Sequence, residues 1–196
     1  MKFFTLDSMS LKGKVVGVRV DINSPLNKGK VMPNERIVAH AKTLAELSKK
    51  GARVVILAHQ GRKGDEDCIS LKNHLALLEK HVGKKIAFCN EIYSQKSLLA
   101  ISQLKDGELL LLENLRFIDD ETDLEKKDNK VLALESSFDA YVLDAFSVAH
   151  RKQASMIGFK HIPLLAGRVM EKELKGLNSL SSSKKTFGVF VWWCKA

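Results

Sequence analysis

The sequence predicts an α/β fold, a doubly wound parallel sheet with helices on both faces. Two observations carry that expectation. Short apolar runs alternate with stretches of helical periodicity every few dozen residues. The right-handed crossover rule then sends successive helices to opposite faces of one sheet. A third observation concerns function: four of the runs stop at basic residues. VVGVRVDIN leads to Arg19, Asp21 and Asn23, and RVVILAHQGR to His59 and Arg62. GELLLLENLRF leads to Arg116, and DAYVLDAFSVAHR to His150 and Arg151.

The elements follow in order. A strand is expected near 14–20 and a helix near 35–49, where Ile37, Ala41, Leu44 and Leu47 recur at helical spacing. Asn34 is placed to cap that helix and Gly51 to stop it. A second strand near 53–58 is followed by the polar loop GRKGDED. Next comes a helix over 70–81 with Leu71, Leu75, Leu78 and Val82 on one face and Gly83 closing it. KKIAFCN reads as a weaker strand, 95–104 as a short helix and LLLL as a buried strand. A helix near 123–137, the strand AYVLDAF and a helix over 166–180 complete the pattern. SSSKK then reads as a linker before a last apolar run, TFGVFVWW.

The chain has 196 residues, 45% of them hydrophobic, enough for a proper core in one large domain or one and a half. The formal charge of +9 comes from twenty-five Lys and seven Arg. The Lys are dispersed over helices and turns and no basic run is interleaved with aromatics, which argues against a nucleic-acid partner. Cys68, Cys89 and Cys194 are odd in number and widely spaced, without a CxxC, which argues against a disulfide framework and a zinc site. No metal site is expected. The amino terminus lacks a long apolar stretch and no run reaches membrane-spanning length, so a soluble, cytoplasmic chain with no membrane partner is expected.

In an open parallel sheet, ligands bind beyond the carboxyl ends of the strands. Arginines delivered there from several strands describe a site for a small, strongly anionic ligand such as a phosphate ester. Gly61 lets the backbone turn sharply and present Arg62. Glu113 and Asn114, after four leucines, need somewhere polar to go, and a ligand cleft serves. Arg19 and Asp21 share one side of their strand; a solvent-exposed ion pair is the plainer reading of the two. Asp144, Ser147 and His150 lack a G-x-S-x-G elbow and do not read as a hydrolase triad. No GxxxxGK[ST] loop is present. His74 and His81 are expected on a helix surface.

RVDIN (19–23), NERI (34–37), AHQGR (58–62), LLLLENLRF (109–117), DAFSVAHR (144–151) and AGRVMEKEL (166–174) occur in that order. In wording and spacing they resemble the N-terminal, substrate-binding half of phosphoglycerate kinase, over roughly residues 12–180. The wording of AHQGR and DAFSVAHR is similar to archaeal members. The resemblance implies two Rossmann-like domains in the complete enzyme and phosphoryl transfer between Mg-ATP and 3-phosphoglycerate, giving 1,3-bisphosphoglycerate. It implies that Asp21 and Asn23 contact the glycerate hydroxyl and carboxylate. His59, Arg62, Arg116 and Arg151 would hold the distal phosphate, and Arg36 would lie against the transferring phosphoryl group as the catalytic cation. On this reading residues 1–165 form the glycerate-binding domain, 166–183 a hinge helix and linker, and 184–196 the start of a second domain.

One stretch departs from that pattern. Where the family has a glycine pair, a small residue and a lysine against the nucleotide phosphates, this chain reads Trp192, Trp193, Cys194 and Lys195. Two indoles block a close backbone approach. Trp-Trp-Cys written TGG-TGG-TGC becomes Gly-Gly-Ala in the frame one base on. The end of the chain is therefore expected to be a frameshifted truncation, leaving Lys195 as a doubtful nucleotide contact and the chain without nucleotide of its own. A non-catalytic module binding phosphometabolites is the alternative.

Overall fold

The structure is a computed structural model that describes residues 3–182. The strands are β1 (Val15–Arg19), β2 (Leu26–Asn27), β3 (Lys30–Val31), β4 (Arg53–Leu57), β5 (Ala87–Cys89), β6 (Leu109–Leu112), β7 (Ala140–Leu143) and β8 (Leu164–Ala166). The helices are α1 (Glu35–Lys49), α2 (Leu75–Val82), α3 (Gln95–Ser102), α4 (Lys130–Ala133), α5 (Ala154–Ile157) and α6 (Arg168–Ser182). Six strands form one sheet in the order β5-β6-β4-β1-β7-β8, and each neighbouring pair is parallel. The doubly wound α/β fold is thus what the chain adopts. β2 and β3 make a separate antiparallel hairpin turned by Lys28 and Gly29, both at positive φ.

Period-two alternation divides the strand side chains between two cores. Val16, Val18, Val54, Ile56, Leu109, Leu111, Ala140 and Val142 meet Ile37, Ala41, Leu44 and Leu47 of α1 and Leu78 of α2. Val15, Val55, Leu57, Leu110, Leu112 and Tyr141 face the other way, against Ile101 of α3, Val131 of α4 and Ala154 of α5. Each fully buried Val, Leu or Ile in these rows stabilises the fold by roughly 1.5–3 kcal/mol. Gly17 leaves room for the second core, because a Cβ there would run into the rings of Phe138 and Tyr141.

α1 starts where expected: Asn34 Oδ1 accepts from Ile37 N at 3.2 Å, and Gly51 leaves the helix end at φ +77°. Ser70 caps a 3₁₀ turn, Leu71–His74, that feeds α2, and Gly83 ends α2 in the left-handed region. α6 packs against α1 and is tied to it through Arg168, whose Nε donates to Glu46 Oε2 at 2.8 Å.

Several expectations are corrected. The helix expected over 123–137 is a loop, then α4, then a 3₁₀ turn, Leu134–Ser137. Asp128 sits at φ +58°, and Asn129 Oδ1 accepts from Val131 N and Leu132 N at 2.9 Å, so the helix starts only at Lys130. The helix expected from 166 starts at Arg168, because Leu164–Ala166 is an edge strand whose Ala166 N donates to Phe4 O. α5 was not anticipated. His74 is fully buried rather than on a helix surface, with Nε2 3.1 Å from Gln60 Oε1. Arg19 and Asp21 are both buried and do not pair. The strand expected after 183, Cys194 and Lys195 lie outside the described residues.

Candidate functional site

β6, β4, β1 and β7 lie side by side, so their carboxyl ends deliver Arg116, His59, Asp21 and Arg151 to one edge of the sheet. The chain order reverses across β1, whose neighbours are β4 on one side and β7 on the other. Such a reversal opens a crevice at the strand ends. A cleft of about 380 Å³ lies there, lined in part by Asp21, Arg36, His40, Phe146 and Ser147.

Asp21 is the fixed point of that cleft. Its Oδ1 accepts from Asn23 N at 3.0 Å, and its Oδ2 from Arg36 Nη1 at 3.1 Å and from the Ser147 hydroxyl. Burial pushes the carboxyl pKa up. The Ser147 hydrogen bond, the Arg36 charge and the Asn23 amide outweigh burial and hold it below the ordinary value. Arg36 itself is half exposed and borders the cleft. Asn23 turns its Oδ1 to Gly61 N at 2.9 Å, joining the loop after β1 to the loop after β4.

A second cluster surrounds His59. Its ring is buried, and its pKa falls to about 3 through burial first and then the charges of Arg19, Arg116 and Arg151, against the opposing charge of Asp21. Arg116 is partly buried and its Nε has no partner. The Gln153 amide oxygen faces its guanidinium, 3.0 Å from Nη2 and 3.3 Å from Nη1. Burial and the neighbouring Arg151 both disfavour the charge on Arg116. Arg62 stands exposed on its loop, and among the described residues no ion pair holds it. Arg62, Arg116 and Arg151 make no ion pair among the described residues, and cations so placed gain from an anion that neutralises them.

Beneath these groups lies a buried layer that sequence reasoning missed. Arg19 is fully buried and donates from Nε to Ser155 Oγ at 2.8 Å, from Nη1 to Val20 O at 2.7 Å and from Nη2 to His59 Nδ1 at 2.8 Å. Glu121, also buried, stands 3.8 Å from Arg19 and accepts from the Ser155 hydroxyl at 2.7 Å and from Ser155 N at 3.0 Å. Burial raises the pKa of Glu121, and Arg19 opposes that rise.

Glu113 and Asn114 spend their polar groups on the neighbouring loop. Glu113 accepts from Leu71 N at 3.0 Å and from the Ser70 hydroxyl at 2.7 Å. Asn114 donates to Gln60 O at 2.9 Å and Ile69 O at 2.8 Å. They staple the loop that carries Arg62. Ser147, Asp144 and His150 form no triad: Ser147 bonds Asp21 and Asp144 bonds His40. Among the described residues no group of three His, Cys, Asp or Glu is placed to hold a metal, and no helix is long and apolar enough to cross a membrane.

The family profile of phosphoglycerate kinase matches residues 6–192. The chain belongs to the phosphoglycerate kinase family. It is 45% identical to phosphoglycerate kinase of Halorubrum lacusprofundi over 186 residues, covering 92% of this chain and 46% of that one. With the Sulfolobus acidocaldarius protein of the same name it shares 40% identity over 195 residues, 95% of this chain and 47% of the relative. The fold matches the crystal structure of phosphoglycerate kinase from Pyrococcus horikoshii OT3 with a TM-score of 0.85 at 34% identity, covering 93% of this chain and 47% of that one. For the Coxiella burnetii phosphoglycerate kinase structure the TM-score is 0.79 at 30% identity, over 94% and 46%. The chain spans about half the length of the curated relatives that it matches.

Proposed function

We propose that this chain is the N-terminal, glycerate-binding half of a phosphoglycerate kinase. The observation that carries the reading is the delivery of His59, Arg62, Arg116 and Arg151 to one edge of the sheet, beside the Asp21–Arg36 pair. Arg62, Arg116, Arg151 and the His59 ring bind the distal phosphate of 3-phosphoglycerate. Asp21 accepts from its hydroxyl, and Asn23 orients its carboxylate. Arg36 leaves Asp21 to meet charge on the phosphoryl group in flight. Residues 1–165 act as this domain, with 166–183 as the hinge helix and linker.

Phosphoryl transfer spreads charge over the equatorial oxygens of a loose transition state, so cations and positioning supply the catalysis, with no protein nucleophile. The donor, Mg-ATP, brings the phosphoryl group and its own charge screening. On this reading the glycerate half holds the acceptor, and Mg-ATP is held by the other half of the complete enzyme. The crowding of Arg116 and Arg151, with Arg62 exposed beside them, equally suits a second reading, a non-catalytic module that binds phosphometabolites with the same residues.

Calorimetric titration separates these. The chain should bind 3-phosphoglycerate, more weakly as salt rises, and should show no heat with Mg-ATP. Tight Mg-ATP binding would remove the half-site reading. Preference for an unrelated phosphate ester over 3-phosphoglycerate would favour the module.

A further inference from the structure

We infer that Arg19 is a positioning residue that never meets the ligand and commits His59 to present an N–H at Nε2 toward the anion. This rests on the glycerate-site reading for the identity of the anion alone.

The argument is one of donors and acceptors. A guanidinium only donates, and it stays protonated in proteins. Its Nη2 lies 2.8 Å from His59 Nδ1, so Nδ1 must be the lone-pair nitrogen and the ring proton sits on Nε2. Arg19 cannot swing away, because its other two nitrogens are held by Ser155 Oγ and Val20 O in a fully buried pocket. Ser155 is fixed in turn: its hydroxyl donates to Glu121, its amide donates to the same carboxylate, and its carbonyl accepts from Tyr141 OH at 2.9 Å.

The network also joins the loops that bear the arginines. Glu121 lies on a 3₁₀ turn, Asp119–Glu121, shortly after Arg116, and Ser155 lies in the first turn of α5 shortly after Arg151. β1 thus indexes three loops through one side chain. The groups acting on His59 are Arg19 and Asp21 from β1 and its loop, Arg116 after β6 and Arg151 after β7. Three of the four are cations, so a second ring proton is opposed from each of those elements. The result is a neutral, directional donor whose tautomer does not change as pH crosses the ordinary histidine range.

The test is nitrogen-15 NMR of the histidine rings in the ligand-free chain, from about pH 5 to 8, with His59 assigned through His59→Gln. The expected signature is a protonated Nε2 and a bare Nδ1 throughout. A proton on Nδ1, or exchange between the two nitrogens, would overturn the inference. Arg19→Met with Glu121→Gln removes both buried charges together, so no lone ion is left. Arg19→Leu with Glu121→Gln is a second replacement of different shape that likewise leaves Nδ1 without a donor from position 19. In either variant, if folded by circular dichroism, the Nδ1–H form of His59 should appear. Affinity for 3-phosphoglycerate should then fall about tenfold, the loss expected from one misdirected hydrogen bond to a charged group. A folded variant that keeps the parent spectrum would overturn the inference, and if neither folds the parent spectrum decides it alone. A parent that shows the Nε2–H ring but does not bind 3-phosphoglycerate would remove the glycerate reading and leave Arg19 in its role. Binding with the proton on Nδ1 would do the reverse.

Discussion

Asp144 accepts from His40 Nδ1 at 2.9 Å, across 104 residues of sequence, and so joins the end of β7 to α1. Its other oxygen accepts from Val169 N at 2.8 Å and Met170 N at 3.2 Å, the first free amides of α6. One carboxylate therefore fixes the entry of the last helix relative to α1, and both border the cleft that holds Asp21 and Arg36. Gly167 is needed beside it, because a Cβ there would overlap the Asp144 carboxylate.

Asp144→Ala should destabilise the domain by about 2–4 kcal/mol, since it leaves a buried imidazole unpaired and removes a helix cap. Urea unfolding followed by circular dichroism measures the change. A loss below the error of extrapolation would mean that α6 docks through its ion pairs and apolar contacts alone.

Two histidines set the acid limit of stability. His59 titrates at about 3 and His74 at about 4, both lowered mainly by burial, against an ordinary value of 6.5. Below 6.5 the unfolded chain binds protons that the folded chain refuses. Stability is therefore full above pH 6.5 and falls as pH drops toward 4, by up to about 1.4 kcal/mol per pH unit for each ring. Asp21 acts lower, since its depressed pKa adds stability that is lost only below the ordinary carboxylate range. Comparison of urea midpoints at pH 7 and pH 5 should show the drop, and His74→Gln should remove about half of it. The same slope in parent and variant would exclude His74 from the linkage.

Arg116→Ala and Arg62→Ala should each weaken 3-phosphoglycerate binding about tenfold or more while thermal stability stays within roughly 1 kcal/mol. Arg62 is exposed, and the Arg116 guanidinium faces Gln153 and no carboxylate that would be left buried and alone. Arg116→Ala should if anything stabilise the free chain slightly, because it relieves repulsion with Arg151. Unchanged affinity with a large fall in melting temperature would make these arginines structural.

The strand ends were legible because they follow from one rule. Parallel strands all point the same way, so the Arg and His that close successive apolar runs must share an edge, and Arg116, His59, Asp21 and Arg151 do. α1 was legible down to its cap, because Asn34 and Ile37 are neighbours in sequence. What could not be read was pairing at a distance. Arg19 and Ser155 are 136 residues apart, and nothing local marks Ser155 or Glu121 as buried partners. The same blindness placed His74 on a surface and gave Glu113 and Asn114 to a ligand. The polar demand of a strand end was rightly sensed there, but it is met by the next loop. The loop before α4 failed for a different reason: Asp128 and Asn129 carry turn and cap chemistry that outweighs helical periodicity around them.

Arg36 should separate binding from turnover. It is half exposed and its contact is Asp21, so in the resting chain it is held beside that carboxylate and apart from the cations around His59. If it meets charge that develops in the transition state, Arg36→Ala should alter 3-phosphoglycerate affinity less than tenfold. Turnover should fall by about 10²–10⁴, as for removal of a cation acting on a transferring phosphoryl group. The measurement is made in a fusion of residues 1–182 to the remainder of the Halorubrum lacusprofundi protein, of which this chain covers 46%. In that fusion Arg36→Lys should restore part of the rate, because a point charge replaces some of the electrostatic stabilisation but not the fork. Equal kcat with and without Arg36 would remove it from the reaction and leave it as a partner of Asp21. A parallel loss in affinity and kcat/KM with kcat unchanged would place it with the ground-state ligands of the distal phosphate instead.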